Sequence, residues 1–214
     1  MLDRIDELMQ LTAAQTGRPR LSATIREAMG RVPRHRFVPE PQQASAYSDR
    51  ALPIGEGQTI SQPFIVALMT ELLEPAPGQR ILEVGTGSGY QAAVLAECGA
   101  RVFTIEIVPS LGERAGALLA ELGYRNIEVR IGDGYLGWPE QAPFDRIVVT
   151  AAPDHIPQPL LDQLAAGGRM VIPVGPERWQ QDLLLITRSA DGRTLTDNKI
   201  PVRFVPLTRA PGPG

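Results

Sequence analysis

A chain of 214 residues, 43% hydrophobic and 21% charged, can bury a full core, and its length favours one domain (1–214) with embellishments over two independent ones. Its formal net charge of −3 argues against a general nucleic-acid binder, which needs a basic surface to neutralise phosphates. No apolar run reaches the roughly 18 residues that span a bilayer, and Cys98, the one cysteine, excludes an internal disulfide or a cysteine zinc cage. With no secretory signal at Met1, a cytoplasmic protein without membrane contact is expected.

Leu2, Ile5, Leu8, Met9 and Thr12 recur at helical spacing, which predicts an amphipathic helix from residue 2 to about 15, ended by Gly17 and Pro19. Ser22 is placed to cap a second helix through about Met29, stopped by Gly30 and Pro33. Residues 31 to 62 are rich in proline, glycine and polar side chains, yet they carry Phe37, Val38, Tyr47, Leu52 and Ile54 as apolar anchors. Long loops inside compact domains tend to be functional, so this one is expected to fold over a pocket. A helix follows from about Phe64 to Leu73. Ser61, two residues before Pro63, suits either a helix N-cap or a functional hydroxyl. Thr59 and Ser61 alternate across Ile60 and can present two hydroxyls to one side, an arrangement that suits a carboxylate.

Arg80-Ile-Leu-Glu-Val-Gly-Thr-Gly-Ser-Gly89 reads as strand, tight turn and helix. The helix of that reading is the pattern Tyr90 to Cys98; Gly85, Gly87 and Gly89 let a ligand approach bare backbone, and the amides opening this helix point at whatever sits there. A second strand, Arg101 to Ile105, ends at Glu106, where an acid can bind both hydroxyls of a ribose. A helix over 109–122, with Pro109 in its first turn, leads to a third strand, Ile127 to Ile131, and to Gly132-Asp133-Gly134, which leaves Asp133 able to face an adenine amino group. Together these features predict an adenosine held across the carboxyl edge of an open parallel sheet. The fourth strand, Phe144 to Val149, is followed by Thr150, Ala151 and Ala152, where a substrate or cofactor edge fits. A short helix, Leu160 to Leu164, precedes Gly167-Gly168 and the strand Arg169 to Val174. Two further strands, Leu183 to Thr187 and roughly Ile200 to Val205, flank the turn Asp191-Gly192, and the tail from Ala210 is expected to be disordered. The strand–helix alternation predicts an α/β fold with a doubly wound sheet.

Ala46-Tyr-Ser-Asp-Arg-Ala-Leu-Pro-Ile-Gly-Glu-Gly-Gln-Thr-Ile-Ser-Gln-Pro63, with Val32-Pro-Arg-His-Arg-Phe-Val-Pro39 before it and Leu82 to Tyr90 after it, closely resembles the protein-L-isoaspartate O-methyltransferase family. Gly132-Asp-Gly134 and Arg203-Phe-Val-Pro-Leu207 fit the same pattern, so the likeness spans roughly residues 25 to 208. The resemblance implies a Rossmann-like, mostly parallel sheet of the S-adenosylmethionine methyltransferase type, with N-terminal helices and a substrate-covering loop (1–62), a cofactor-binding core with C-terminal strands (63–208), and a tail (209–214). It implies methyl transfer from S-adenosyl-L-methionine, leaving S-adenosyl-L-homocysteine, to the α-carboxylate of isoaspartyl residues in damaged proteins. By position, Ser61 is the active-site serine, with Thr59 and Ile60 helping to receive the substrate. Glu83, Gly85, Gly87 and Gly89 line the methionine end of the cofactor, Glu106 its ribose and Asp133 its adenine, with Thr86 and Gly134 also among the cofactor-binding residues. No metal is implied, and a monomer is expected.

The side-chain inventory fits that chemistry. A carboxylate is ionised at pH 7 and requires no general base, whereas an amine or alcohol acceptor would require one. The chain offers only His35 and His155, both suited to structural or surface roles. Arg50 and Arg34 or Arg36 are candidate electrostatic guides for a carboxylate, their plainer reading being solvated surface arginines. The remaining alternatives are another small carboxylate substrate and a non-catalytic S-adenosylmethionine-binding module.

Overall fold

The structure, a computed structural model, describes residues 1–176 and 180–209. The expected tail from Ala210 therefore lies outside the described residues. Helix α1 (Leu2–Thr16) turns Ile5 and Met9 into the core and ends at Gly17. Helix α2 (Ala23–Arg31) runs two residues past its expected end, taking Gly30 into its last turn and stopping only before Pro33. Ser22 occupies its N-cap position but makes no side-chain cap; its backbone N–H instead donates to Glu71 Oε2 at 2.9 Å.

The stretch expected as a long loop is more ordered than its composition suggests. Two 3-10 turns, Arg34–Phe37 and Glu40–Ser45, lead into an antiparallel hairpin of β1 (Leu52–Gly55) and β2 (Gln58–Ile60). Leu52, Ile54 and Ile60 point inward, which anchors the hairpin to the core. Helix α3 (Pro63–Leu73) then begins with proline in its first turn, where the missing N–H costs nothing. Gln62, not Ser61, holds the N-cap position, and the capping oxygen comes from a distance: Asp49 Oδ1 accepts from the Phe64 N–H at 2.8 Å.

From there the chain runs through β3 (Arg80–Val84), α4 (Tyr90–Glu97), β4 (Arg101–Glu106), α5 (Pro109–Glu121), β5 (Ile127–Ile131), β6 (Phe144–Val149) and α6 (Gln158–Gln163), alternating as expected except that only 3-10 turns join β5 to β6, while α6 starts two residues early and ends before Leu164. It closes with β7 (Leu164–Val174), β8 (Gln181–Arg188) and β9 (Thr194–Val202). The seven strands stand in the order β5-β4-β3-β6-β7-β8-β9, parallel as far as β7 and antiparallel beyond it. The chain winds outward from β3 to β5 on one side and restarts at β6 on the other, so the crevice between β3 and β6 is the switch point where such sheets bind ligands.

The last three strands differ most from expectation, β8 extending beyond Leu183–Thr187 at both ends. β7 starts at Leu164, directly after α6, and the shift in register between the pairs Phe144–Leu164 and Arg146–Arg169 absorbs the two glycines as a bulge. β9 begins earlier, at Thr194, and ends at Val202. Residues 203–207 leave the sheet and cross the carboxyl edge, held where the Ala152 N–H donates to Val205 O and the Leu207 N–H donates to Ala152 O, both at 2.8 Å.

Cys98 is a core filler, 2% exposed, and burial pushes its thiol up to about 11. Among the described residues no helix is long and apolar enough to cross a membrane.

Candidate active site

The end of β3 builds the first wall. Val84 is buried, and the chain then turns through Gly85 (φ 98°) and Gly87 (φ 52°), conformations that side-chain-bearing residues rarely adopt. Glu106, at the end of β4, accepts from the Gly87 N–H at 2.7 Å through Oε2 and from the Val108 N–H at 3.0 Å through Oε1. One carboxylate thus pins the glycine turn to the neighbouring strand while standing on the wall of the cleft. Gly89 has a different task. It caps α4 at φ 87°, a conformation that favours glycine, and a Cβ there would stand a tight 3.2 Å from Leu119 Cδ1 of α5; it is not among the residues lining the cleft.

Glu83 is wholly buried beneath this turn. Its Oε2 accepts from Thr104 Oγ1 at 2.6 Å, while Oε1 has no hydrogen-bond partner among the described residues. Burial, with Glu106 adding repulsion, pushes its carboxyl up to about 8. Thr86 is buried and shares a 2.7 Å hydrogen bond with Thr104, closing the same network.

Glu83, Gly85, Thr86, Gly87, Glu106 and Gly134 share a cleft of about 870 Å³, counting its space open to solvent, with Thr59, Ile60 and Ser61 on the opposite wall. Tyr90, Ile105, Val108, Val205 and Leu207 complete its apolar lining. Asp133 precedes Gly134, and its Oδ1 accepts from the Tyr135 N–H at 2.9 Å, which shapes the turn that presents Gly134. That turn is close-packed, since a Cβ on Gly134 would fall 2.4 Å from Val84 Cγ1.

A second cleft, about 1260 Å³ on the same count, opens between α1, the start of α3 and the end of β9. Thr59, Ser61, Thr150 and Val205 line both clefts. Ser61 therefore stands on the partition between a glycine-turned pocket and a wider groove walled by Gln15, Phe64, Ile65, Arg203 and Phe204.

The expected electrostatic guides fare differently. Arg34 is no surface residue: it is fully buried, and its guanidinium donates to the carbonyls of Ala46 and Ser61, each at 2.7 Å. Arg36 pairs with Glu121 at the surface, and Arg50 donates to Ser45 Oγ; neither lines either cleft. His35 hydrogen-bonds Tyr47 and His155 pairs with Asp154, and both imidazoles lie off the cleft walls. The burial of Arg34 and the cap from Asp49 escape sequence reading, because their partners lie 12 to 27 residues away and no periodicity marks them.

The residues fit a nucleoside carrying a charged amino-acid tail. Bare backbone at Gly85 and Gly87 admits close approach, Glu106 offers acceptors for hydroxyls, and the orphaned buried oxygen of Glu83 suits an ammonium donor. Residues 6–211 match the family model described as Protein-L-isoaspartate(D-aspartate) O-methyltransferase.

The chain belongs to this family. It is 55% identical, over 97% of its length and 99% of the relative's, to protein-L-isoaspartate O-methyltransferase 2 of Polaromonas sp.. It is 62% identical to protein-L-isoaspartate O-methyltransferase of Gloeobacter violaceus, over 85% of this chain and 88% of that one. A solved protein-L-isoaspartate O-methyltransferase superposes with a TM-score of 0.84 at 28% identity, covering 97% of this chain and 66% of that one. A second structure, of a putative Plasmodium falciparum protein-L-isoaspartate O-methyltransferase in complex with S-adenosyl-L-homocysteine, gives a TM-score of 0.77 at 25% identity, over 96% of this chain and 98% of that one. The fold is accordingly the Rossmann-like methyltransferase sheet, and the family assignment makes the protein an S-adenosylmethionine-dependent protein-L-isoaspartate O-methyltransferase.

Proposed function

We propose that this methyltransferase acts on isoaspartyl carboxylates of damaged proteins by positioning them, without a general base, on the partition formed by Thr59 and Ser61. The observation that carries this reading is the placement of Ser61 on the wall common to both clefts while neither imidazole lines either one. An isoaspartyl α-carboxyl, with an ordinary pKa near 4, is ionised at pH 7 and is already a nucleophile. The residues have only to orient it and exclude water.

In this reading Ser61 donates from Oγ to one carboxylate oxygen, leaving the other free to react, and forms no covalent bond itself. Thr59 supplies a second hydroxyl, and Ile60, 4% exposed, anchors the segment between them. On the opposite wall Glu83 meets the ammonium, Gly85, Thr86 and Gly87 the methionine portion, and Glu106 the ribose. Gly134 borders the adenine, Asp133 fixing its turn, while Gly89 contributes through packing. When bound, S-adenosylmethionine supplies an electrophilic methyl group on a sulfonium centre.

A monomeric enzyme is proposed. Its proposed partners are isoaspartyl proteins and peptides, not nucleic acid or membrane, and its compartment is the cytoplasm. Ser61→Ala tests the placement. Loss of a hydrogen bond to a charged group predicts a fall in kcat/KM of about 10- to 100-fold on an isoaspartyl peptide, with S-adenosylhomocysteine affinity unchanged. Full retention of kcat/KM would remove the serine from the mechanism.

A further inference from the structure

Arg34 is the only arginine among the largest fully buried side chains, and its environment is unusual for a cation. Among the described residues it forms no ion pair. Nε donates to Ala46 O and Nη2 to Ser61 O, each at 2.7 Å, and the guanidinium carbon lies 4.7 Å from the centre of the Tyr90 ring. Asp49 acts on the guanidinium only through space, and a buried charge with no carboxylate in contact is costly, whereas an apolar side chain of similar volume fills such a space more cheaply. Packing alone is therefore a poor reason for an arginine here.

Its contacts give a better one. Ser61 is the residue on the partition between the two clefts, and Tyr90 opens α4 and lines the nucleoside cleft. A single rigid guanidinium fork thus ties the peptide of Ser61 to the cofactor side of the site, with Ala46 as its second backbone anchor. Asp49 brackets the other side of the serine, accepting from Gln62 Nε2 at 3.3 Å and from the Phe64 N–H at 2.8 Å.

We propose that Arg34 is a positioning residue for catalysis, holding the Ser61 carbonyl so that the hydroxyl is fixed against the substrate carboxylate. This rests on the reading of Ser61 given above. Lysine at this position keeps the charge but loses the planar fork that serves two separate carbonyls at once, so it is not a conservative replacement.

The test is a double-mutant cycle of Arg34→Lys and Ser61→Ala, assayed with an isoaspartyl peptide. If Arg34 works through the serine, Arg34→Lys lowers kcat about 10- to 100-fold, and the double variant is within about two-fold of the slower single variant. The KM for S-adenosylmethionine stays within about two-fold of wild type. Arg34→Met fills the volume without a buried charge and serves where the lysine variant folds poorly; it is expected to keep its melting temperature and still lose kcat. Losses that multiply in the double variant, or a KM for S-adenosylmethionine that rises in step with the loss of kcat, would reduce Arg34 to a structural role. A fully active Ser61→Ala enzyme would overturn the serine reading and this proposal together, whereas a slow Ser61→Ala enzyme with multiplicative losses would overturn only the proposal for Arg34.

Discussion

The Thr150 hydroxyl donates to the carbonyl oxygen of Gly85 at 2.6 Å, and a Cβ added to Gly85 would stand 2.4 Å from that same hydroxyl. Thr150, the residue following strand β6, therefore grips the first glycine of the turn so closely that no side chain fits between them. Gly85→Ala meets both this contact and the strain of a φ of 98°. The expected result is a destabilisation of about 1–3 kcal/mol and at least a tenfold weaker affinity for S-adenosylhomocysteine, read by thermal denaturation and calorimetry. An alanine variant with unchanged melting temperature and affinity would contradict this account of the turn.

Glu83 gives a pH-dependent prediction. Its carboxyl is pushed from an ordinary 4.5 to about 8 by burial, so between those values the folded protein holds a proton that the unfolded chain releases. The linked stability is fully present below about pH 4.5 and is lost as pH rises toward 8. Glu83→Gln, permanently neutral, lacks this term. The stability of wild type relative to Glu83→Gln should fall between pH 5 and 8, with a slope of at most about 1.4 kcal/mol per pH unit. Binding of S-adenosylhomocysteine, whose ammonium favours ionised Glu83, should release up to about one proton at pH 7 in wild type and none from Glu83 in the glutamine variant. Calorimetry in two buffers of different ionisation enthalpy reads that difference, and equal proton release from both proteins would show that Glu83 does not meet the ammonium.

Asp49 is expected to act on stability as well as on the substrate segment. Its carboxylate caps α3 through the Phe64 N–H and holds the Gln62 side chain. Asp49→Ala should cost about 0.5–2 kcal/mol, the range for losing a helix cap. Asp49→Asn retains an acceptor and should recover most of that loss in a denaturant titration. Equal stability of all three proteins would rule out the cap.

What the sequence made legible was local. Ile81 to Tyr90 spells strand, turn and helix start within ten residues, and Glu106 and Asp133 follow at the ends of the next two strands, so the switch-point crevice and most of its wall can be read in order. Long-range structure was not legible. Arg34 looks like any surface arginine until the fold brings the carbonyls of Ala46 and Ser61 to it. Pro53 and the irregular register at Gly55 obscure the hairpin, whose strands are only 4 and 3 residues long. Gly89 shares its spacing with the cleft-lining glycines, yet its Cβ position lies tight against Leu119 from another helix. Asp133 follows the expected strand end, where its Oδ1 also accepts from the backbone of Tyr135. In each case side-chain type and position were readable, while orientation depended on a partner distant in sequence or on local turn geometry.

The most direct test of the central claim uses methyl-labelled S-adenosylmethionine and two peptides of identical composition, one with an isoaspartyl linkage and one with a normal aspartyl linkage. The account predicts base-labile label on the isoaspartyl peptide alone, reduced about 10- to 100-fold in initial rate by Ser61→Ala. Equal labelling of both peptides, or label on neither while S-adenosylhomocysteine still binds, would contradict it.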